Sequence, residues 1–398
     1  MEGNVHVAGA GVISAIGNAW EENVYALRND MSGIAGMMVL ESRHQDLPVG
    51  EVKLTNEELA YRAGCPRHLT RTALLGIHAA KEAYLDSGIR NFDFWRVGLI
   101  SGTTVGGMDK TEKFYSSFLQ DPRKGRLREV VNHECGRTTE LIADALNIDD
   151  FVSTINTACS SSVNAIIYGA KLIRHNKLDV VVAGGTDALT AFTLNGFNSL
   201  MILDKTRCRP FDASRNGLNL GEGAGFVVLV SDRVVEEEKL TPFARVTGYA
   251  NTSDAFHQTA SSPEGRGSYN AMKKALQLAN LSPEEISYVN LHGTGTMNND
   301  LSEGTALKRV FGDSVPRISS TKSFTGHTLG ACGGIEAVYS LMSIKHQCVF
   351  ANLGFTAPMP EVGLEPQREF EYVPVKHVMS NSFGFGGNCS SVIFSNAN

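Results

Sequence analysis

The chain has 398 residues, of which 42% are hydrophobic and 20% charged, so it can bury a large core and is not disordered throughout. A net charge of −6, from 36 basic and 42 acidic residues, gives no global reason to expect nucleic-acid binding. The apolar runs are too short to span a membrane, and the N-terminus lacks a signal-peptide pattern. Seven cysteines without a C-x-x-C pair favour free thiols, so we predict a soluble cytoplasmic protein.

Strands and helices alternate along the chain, which predicts an α/β layered fold. The predicted strands are short runs rich in Val and Ile: Val5–Ala8, Val97–Ile100, Val180–Ala183, Phe226–Val230, Val289–Leu291 and Ser391–Ser395. The predicted helices carry apolar residues at helical spacing: Leu69–Ser87, Glu140–Leu146, Ser161–His175, Gly267–Ala279 and Gly333–Lys345.

A weak internal sequence similarity indicates that the chain contains a duplicated unit. The segments VHVAGAGVISAI, from Val5, and ARVTGYANTSDA, from Ala244, both look like a strand that enters a glycine turn. The charged run DRVVEEEK, within residues 231–240, has the composition of a surface connection. We therefore predict an N-terminal half of residues 1–240 and a C-terminal half of residues 241–398.

The first loop that could carry chemistry contains Cys159. A β-branched run leads into NTACSSS, and apolar residues at helical spacing follow it, so Cys159 lies at a strand-to-helix turn. The unpaired N–H groups and positive end of the helix dipole would favour a thiolate and could donate to an oxyanion. Ser160, Ser161 and Ser162 are good capping residues. A buried structural cysteine is the alternative.

Two further loops supply titratable groups. In VNLHGTGT a strand delivers His292 into a loop whose Thr294 and Thr296 could grip an amide-bearing arm or merely cap the loop. In KSFTGHTLGACGGIE, Lys322 and His327 precede an apolar helix that carries Glu336. Burial beside that helix would make Lys322 and Glu336 a compensating pair, and an ordinary surface loop is the alternative.

The fourth loop is SNSFGFGGNC, near the C-terminus. Gly384, Gly386 and Gly387 allow tight backbone geometry beside the apolar side chains of Phe383 and Phe385. Such a loop can be a turn between strands, a mobile gate or a second oxyanion donor. One thiol and two imidazoles in small-residue loops together favour a nucleophile with two proton or hydrogen-bond partners.

These strings together resemble the β-ketoacyl-(acyl carrier protein) synthases, the condensing enzymes of fatty-acid and polyketide assembly. The resemblance rests on NTACSSS, CRPFDASRNGLNLGEGAG, HGTGT with NDLSE, KSFTGHTLGACGGIE and NSFGFGG, in the family's order and across nearly the whole chain. It implies a thiolase fold, with two related halves in a five-layer αβαβα sandwich. Two histidines, rather than one His and an Asn, indicate the elongating type.

The resemblance also implies residue roles. Cys159 would accept the acyl chain as a thioester, and His292 and His327 would assist decarboxylation of a malonyl thioester and stabilise the enolate. Backbone N–H groups of Cys159 and Phe385 would form the oxyanion hole, and Phe385 would gate the acyl pocket. Lys322 with Glu336 would set the local electrostatics. Further expected contacts with the pantetheine arm or acyl pocket come from Thr294, Thr296 and Phe383.

The partner that the resemblance implies is an acidic acyl carrier protein, whose phosphopantetheine carries the substrates, so no other cofactor and no metal are expected. A basic landing surface would then be needed. Its candidate residues are Arg62, Arg67, Arg71, Arg123, Lys124, Arg126, Arg128, Lys205 and Arg207. A homodimer is the family default, and a heterodimer with an inactive paralogue is the alternative. One departure is that Asn388 and Cys389 follow GFGG, where the family usually has Thr-Asn.

Several rival interpretations remain open at this point. A non-catalytic chain-length subunit would bind carrier but typically lacks the cysteine that Cys159 supplies. A thiolase would use a second catalytic cysteine, for which Cys389 is the candidate. A metalloprotein could bind metal through Cys159, His292 and His327. A dinucleotide site fails because Ser14 occupies the third glycine position of G-x-G-x-x-G.

Overall fold

The computed structural model describes residues 3–397. The first half runs from β1 to α8 through fifteen strands and helices: β1 (Val5–Ile13), α1 (Trp20–Arg28), β2 (Ile34–Ala35), β3 (Val49–Gly50), α2 (Asn56–Ala63), α3 (Arg71–Asp86), β4 (Val97–Gly102), α4 (Met108–Gln120), α5 (Cys135–Leu146), β5 (Phe151–Ile155), α6 (Ser161–Arg174), β6 (Val180–Asp187), α7 (Ala191–Ser199), β7 (Gly223–Ser231) and α8 (Asp232–Glu238).

The second half contains β8 (Ala244–Ser253), α9 (Arg266–Ala279), β9 (Tyr288–Asn290), α10 (Met297–Phe311), β10 (Arg317–Ser319), α11 (Lys322–Thr325), α12 (Cys332–His346), β11 (Cys348–Val349), β12 (Glu371–Tyr372), β13 (His377–Gly384) and β14 (Asn388–Asn396). Short 3₁₀ turns occur in both halves at Phe92–Phe94, Leu127–Glu129, Pro283–Glu285, Leu329–Ala331 and Phe385–Gly387.

The two halves have the same sheet topology. From the centre outward, the strand order is β1-β7-β6-β4-β5 in the first half and β8-β14-β13-β9-β10 in the second. In each half the two inner pairings are antiparallel and the two outer pairings parallel. Only two residue pairs of β1 and β8 connect the sheets. The predicted duplicated α/β fold is confirmed, and the division at residues 240 and 241 stays a prediction.

The sequence similarity between the segments from Val5 and from Ala244 has a structural cause. Gly9 in β1 and Gly248 in β8 occupy the same place in the aligned segments, and each lies against the backbone of a helix packed on its strand, α3 for Gly9 and α9 for Gly248. A Cβ atom would lie 2.4 Å from the Ala83 carbonyl at Gly9, and 2.3 Å from the Ala275 carbonyl at Gly248. The predicted glycine turns are therefore wrong, because these glycines lie inside strands and allow α3 and α9 to pack closely.

The helices and sheets form five layers, which pack together through three large apolar cores. The central core contains α6 and α12 between the sheets, an outer core lies under α2, α3 and α5, and a second outer core lies under α9 and α10. Helix α12 is buried from Cys332 to Ile344, as expected for a helix enclosed on all sides. The loops that precede α6 and α12 therefore open at the junction of the two halves.

Most predicted elements are present but longer. Strand β1 continues to Ile13, and α5 begins at Cys135 rather than at residue 140. The run from Asp232 is a short helix rather than an irregular connection. Helix α4 was not predicted, because within this chain only Asp109 of its residues is buried. Within residues 3–397, no helix combines the length and apolarity needed to cross a membrane.

Candidate active site

The nucleophile candidate lies at a sharp turn. Cys159 falls between β5 and α6, and Ala158 before it has a φ of 54°, which is uncommon outside glycine. The predicted capping by serine is wrong, because the N-cap Ser160 makes no side-chain cap bond. The Ser161 hydroxyl instead donates to the Ala158 carbonyl at 2.6 Å and accepts the Thr157 N–H at 2.9 Å. These bonds hold the turn that presents Cys159.

Burial dominates the chemistry of this thiol. The Cys159 side chain is buried, and burial raises its pKa to about 11, although the N–H groups of Phe385 and Cys159 and the Lys322 charge act in the opposite direction. The N–H groups at the helix end favour the thiolate, as expected, but burial outweighs them in the resting protein. The structure describes a neutral thiol that needs a base.

His327 lies where such a base is required. Its Nε2 is 3.2 Å from the Cys159 Sγ, and both side chains are buried. Burial, followed by the Lys322 charge, holds the pKa of His327 well below its usual value. The imidazole is therefore neutral at pH 7 and can accept the thiol proton.

His292 completes the cluster from the loop after β9. Its ring centroid is 5.3 Å from that of His327, and its Nδ1 is 3.4 Å from the Lys322 Nζ. An ammonium group can only donate, so His292 Nδ1 is the acceptor and Nε2 carries the hydrogen. Burial, then the charge of Lys322, lowers the pKa of His292 well below its usual value. His292 is thus a neutral hydrogen-bond donor.

The predicted pair of Lys322 and Glu336 is present. The Lys322 ammonium bonds the Glu336 carboxylate, and both groups are almost completely inaccessible to solvent. Burial opposes the charge of Lys322, but Glu336 holds its pKa above the ordinary value. A permanent positive charge therefore lies behind His292.

The glycine-rich loop faces the nucleophile from the opposite side. The backbone N–H groups of Phe385 and Cys159 both approach the Cys159 sulfur, as required of two oxyanion donors on one atom. The Phe385 ring stacks on Phe197 with centroids 5.9 Å apart. Phe383 is buried against His292, with ring centroids 5.9 Å apart. Phe197 was not among the predicted residues.

A cavity of about 300 Å³ connects these groups to solvent. Cys159, His292 and His327 line its inner end, and Phe197, Phe383 and the loop from Gly384 to Gly387 form one wall. Thr294 and Thr296 line the same cavity. Their hydroxyls are 2.9 Å apart, and Thr296 also caps α10. Both functions proposed for the threonines from sequence are therefore compatible with their placement.

The thiol and the two imidazoles could in principle hold a metal. The ligand atoms of Cys159, His292 and His327 all lie within 4.8 Å of one another. Lys322, however, holds a positive charge beside His292 in a buried setting, where a second cation is strongly disfavoured. The donor set therefore suits proton and oxyanion chemistry better than a resident metal.

One predicted docking residue is misplaced. Arg71 is the first residue of α3, and its guanidinium forms a buried ion pair with Glu222, with Nη2 2.5 Å from Oε1. It also donates to the Val52 and Leu54 carbonyls. Arg71 cannot contact a carrier, and its position in the apolar run LTRTALLG could have indicated burial.

The other basic candidates are exposed, and two of them are paired. Lys205 bonds Asp46 at 2.8 Å, and Arg123 bonds Asp121 at 3.0 Å. The exposed set is Arg62, Arg67, Arg123, Lys124, Arg126, Arg128, Lys205 and Arg207.

The residues that depart from the family pattern have distinct environments. Cys389 is buried beside Ala271 and Phe383, and burial raises its pKa to about 12. It does not line the cavity that contains Cys159. Asn388 is half-buried and accepts hydrogen bonds from several side chains.

Asp187 is a buried carboxylate that the sequence analysis missed. It accepts bonds from the Thr103 and Thr104 hydroxyls and from the Gly330 N–H, three residues after His327. It thereby connects the loop after β4 to the loop that carries His327. The available signal was its place at the carboxyl end of a buried strand, in GGTDA.

Sequence comparisons assign the chain to a family. The description "Beta-ketoacyl synthase, N-terminal domain" matches residues 3–234, and "Beta-ketoacyl synthase, C-terminal domain" matches residues 243–356. The 3-oxoacyl-(acyl-carrier-protein) synthase 2 of Staphylococcus aureus (strain N315) is 33% identical over 410 residues, covering 98% of this chain and 97% of the relative. That of Coxiella burnetii is 32% identical, covering 98% of each. The chain belongs to the β-ketoacyl synthase family.

Solved structures agree in fold. A chain of the ishigamide ketosynthase/chain length factor superposes with a TM-score of 0.94 at 28% identity, covering all of both chains. A type II polyketide synthase acyl-carrier protein in complex with its ketosynthase, bound to the hexaketide, gives 0.91 at 25%, again covering both chains. A ketosynthase in complex with its chain length factor from Xenorhabdus doucetiae gives 0.85 at 30%, covering 99% and 98%. The predicted thiolase fold is confirmed.

Proposed function

We propose that this chain is an elongating condensing enzyme in fatty-acid or polyketide assembly. It joins an acyl chain held on Cys159 to a malonyl unit delivered on acyl carrier protein, and releases CO2 and a 3-oxoacyl-(acyl carrier protein). The observation that carries the proposal is the neutral Cys159–His327 pair at 3.2 Å, with His292 beside it, at the inner end of one cavity. The substrates arrive on phosphopantetheine, so we propose that no cofactor resides in the protein.

The first step is transfer of the acyl group to Cys159. The sulfur attacks the thioester carbonyl while its proton passes to His327, and the carbonyl oxygen becomes an oxyanion. The N–H groups of Cys159 and Phe385 stabilise this oxyanion, and the phosphopantetheine thiol leaves with the proton. A base is necessary because burial raises the pKa of the Cys159 thiol, so that little thiolate is present.

The second step is decarboxylation of the malonyl thioester. The bond to the carboxylate breaks, CO2 leaves, and the electron pair forms an enolate on the thioester oxygen. His292 donates its Nε2–H to this oxygen, and Lys322 behind it fixes the tautomer that makes donation possible. His327 lies in the same cavity and would be a second donor in the tautomer that carries the hydrogen on Nε2. No proton has to leave the substrate in this step.

The third step forms the carbon–carbon bond. The enolate carbon attacks the acyl-Cys159 carbonyl, whose oxyanion again occupies the site of the two backbone N–H groups. Collapse expels the Cys159 sulfur as a thiolate, which takes a proton from solvent and so restores the neutral thiol. Holding the acyl chain covalently makes this a step between two positioned groups.

Intact-protein mass after incubation with a panel of acyl carrier protein thioesters tests the proposal. Wild type should gain the mass of one acyl group, and malonyl-(acyl carrier protein) should then remove it as 3-oxoacyl product. Cys159→Ala should gain nothing. Cys65→Ser, a matched change of a half-buried cysteine outside the cavity, should behave like wild type. A folded wild-type protein that no donor acylates would contradict the enzyme function.

We propose acyl carrier protein as the docking partner, with the exposed basic set as its landing surface and Arg71 excluded. Arg207 is an exposed member of this set. Opposite charges on exposed surfaces mainly steer encounter. The predicted cytoplasmic location remains a prediction.

We propose that the protein is a dimer. Helix α4 exposes Tyr115, Phe118 and Leu119, and β5 is an edge strand with Val152 exposed. A second chain would cover this apolar surface. A homodimer is the proposal, and a heterodimer with a chain-length partner is the alternative, because similar solved structures are described as ketosynthase with chain length factor.

Two rival functions are less compatible with the site. A chain-length subunit without activity has no need of the complete Cys159, His292, His327 and Lys322 set. A thiolase needs a second catalytic cysteine at the cavity, whereas Cys389 is packed against Ala271 and Phe383.

A further inference from the structure

Asn388 is the residue at which the glycine-rich loop departs from the family pattern, and it lies at a junction of three segments. Its Oδ1 accepts hydrogen bonds from the Asn164 Nδ2 at 2.9 Å and the Asn251 Nδ2 at 2.6 Å, and it lies 2.8 Å from the Ser160 hydroxyl, whose single hydrogen is shared with the Thr157 carbonyl at 2.8 Å. Ser160 follows the nucleophile, Asn164 belongs to α6, and Asn251 belongs to β8. One oxygen therefore connects the two halves of the molecule behind Cys159.

The network around Asn388 has a defined orientation. The two neighbouring amide nitrogens can only donate, so the Asn388 atom that they meet is the oxygen. Asn164 is itself held on both sides, since its Nδ2 donates to the Thr157 hydroxyl at 2.8 Å and its Oδ1 accepts from Ser390 at 2.7 Å. The Asn388 oxygen is thus bonded to groups that are already fixed.

The position of Asn388 in sequence couples it to the oxyanion donors. Phe385 supplies one N–H, and Gly386 and Gly387, at φ values of 81° and 80°, separate it from Asn388. Cys159 supplies the other N–H and is adjacent to Ser160. Two glycines give the loop conformational freedom, so a bond at its end limits where the Phe385 N–H can lie. The Ser160–Asn388 contact therefore ties the turn that carries one donor to the end of the loop that carries the other, and the backbone bonds from Gly386 to Gln258 and from Asp254 to Gly387 hold the rest of that loop.

We propose that Asn388 is a positioning residue that ties the glycine-rich loop to the nucleophile turn and holds the Phe385 N–H in place for the oxyanion of acyl transfer. This assignment rests on the condensing function proposed above. A change at Asn388 should therefore affect two steps of that reaction differently. Acyl transfer needs the backbone donors, whereas decarboxylation of a malonyl thioester needs His292 and His327.

The test compares Asn388→Leu, Asn388→Asp and Asn251→Leu with wild type. Leucine has a similar size but no acceptor, and aspartate restores an acceptor of the same length. Asn251→Leu removes one donor but leaves the Ser160–Asn388 bond intact. For each protein the measurements are the kcat and KM of Cys159 acylation from acyl-(acyl carrier protein), the uncoupled decarboxylation of malonyl-(acyl carrier protein), and the melting temperature.

We expect Asn388→Leu to lower the kcat of acylation about 10- to 100-fold, because a misplaced donor loses much of its stabilisation of the transition state. Its KM and its decarboxylation rate should stay within about threefold of wild type, since the histidines are not moved. Asn388→Asp should recover most of the acylation rate, and Asn251→Leu should lose less than Asn388→Leu.

Three results would overturn the assignment. They are unchanged acylation in Asn388→Leu, an equal loss of acylation and decarboxylation, and no recovery in Asn388→Asp. If Asn388→Leu does not fold, Ser160→Ala removes the other partner of the same bond and must produce the same split between the two steps. A wild-type protein that is not acylated overturns the proposed function, and this assignment with it. Acylated wild type with no split in the variants overturns the assignment alone.

Discussion

The two halves of the molecule share one strand order but deliver different chemistry from equivalent loops. In the first half, the loop after β5 and before α6 carries Cys159. In the second half, the loop after β10 and before α12 carries Lys322 and His327. Because α6 and α12 lie side by side in the central layer, the two loops open towards each other. The duplicated fold thus provides the framework, and the different residues of the two loops place the Cys159 thiol beside the His327 imidazole.

The comparison extends to electrostatics. Each half contains a buried ion pair, Arg71 with Glu222 in the first and Lys322 with Glu336 in the second, and a further buried pair, Arg215 with Asp300 at 4.0 Å, joins the halves. The first pair lies away from the cavity that contains Cys159, whereas the ammonium of the second contacts His292. The same kind of interaction supports the fold in one half and sets a protonation state in the other.

Removing His292 should produce the largest effect and separate the halves functionally. His292→Ala should lower malonyl decarboxylation about 10²- to 10⁴-fold, the range for loss of a positioned proton or hydrogen-bond partner. Acylation of Cys159 should persist, since His327 remains 3.2 Å from the sulfur. Radiolabelled CO2 release and intact mass measure the two steps. His175→Ala, at an exposed position after α6, is the control, and loss of acylation in His292→Ala would contradict the division of roles.

Breaking the two buried ion pairs should cost similar stability but different chemistry. Lys322→Met and Arg71→Met each leave a buried carboxylate without its counter-charge, so each should lower the free energy of unfolding by about 3–5 kcal/mol. Only Lys322→Met should raise the pKa of His292, because the positive charge that lowers it is removed. The pH dependence of the His292 imidazole NMR signals should report this higher pKa, and chemical denaturation measures the change in stability.

The exposed pair of Arg233 and Glu237 provides the control for that comparison. Both side chains are more than half exposed, so Arg233→Ala should change stability by less than about 1 kcal/mol. An unshifted His292 titration in folded Lys322→Met would show that Lys322 does not set the protonation state of His292.

Alanine at Gly9 and at Gly248 should test whether strand and helix pack in the same way in the two halves. Gly9→Ala and Gly248→Ala both place a Cβ within 2.4 Å of a helix carbonyl, so each should destabilise the protein by about 1–3 kcal/mol through overpacking. Thermal unfolding measures the change. Gly36→Ala, where a Cβ meets nothing within 4 Å, is the matched control. A large difference between the two variants would contradict equivalent strand–helix packing.

A reversed charge on the proposed landing surface should have the smallest effect. Arg207→Glu should raise the KM for acyl carrier protein several-fold, about 1 kcal/mol or less, and leave kcat unchanged, because an exposed charge mainly steers encounter. The difference should shrink at high salt. Lys177→Glu, another exposed change, tests for a general effect of net charge. An altered kcat would place Arg207 in the chemistry instead.

Sequence reasoning found the reactive groups because most of them follow a short strand and precede a helix, a local pattern that needs no tertiary information. Cys159 and His292 have this placement, and His327 follows the short helix α11 after β10 and precedes α12. It failed where the outcome depends on what packs around a residue. Arg71 looked like a surface charge, and Cys159 was expected to be a thiolate, yet burial decides both. The bonds of Asn388 join segments up to 228 positions apart, so its network had no local signal.

The central claim is that the two halves bring together a thiol and an imidazole that are both neutral at rest. The pH dependence of Cys159 alkylation by iodoacetamide tests it most directly, with Cys159→Ala to identify the site. A thiol whose pKa is raised to about 11 predicts a rate that rises about tenfold per pH unit between pH 7 and 10, without a plateau. A rate that is already constant above pH 8 would mean a thiolate–imidazolium pair and would contradict the account.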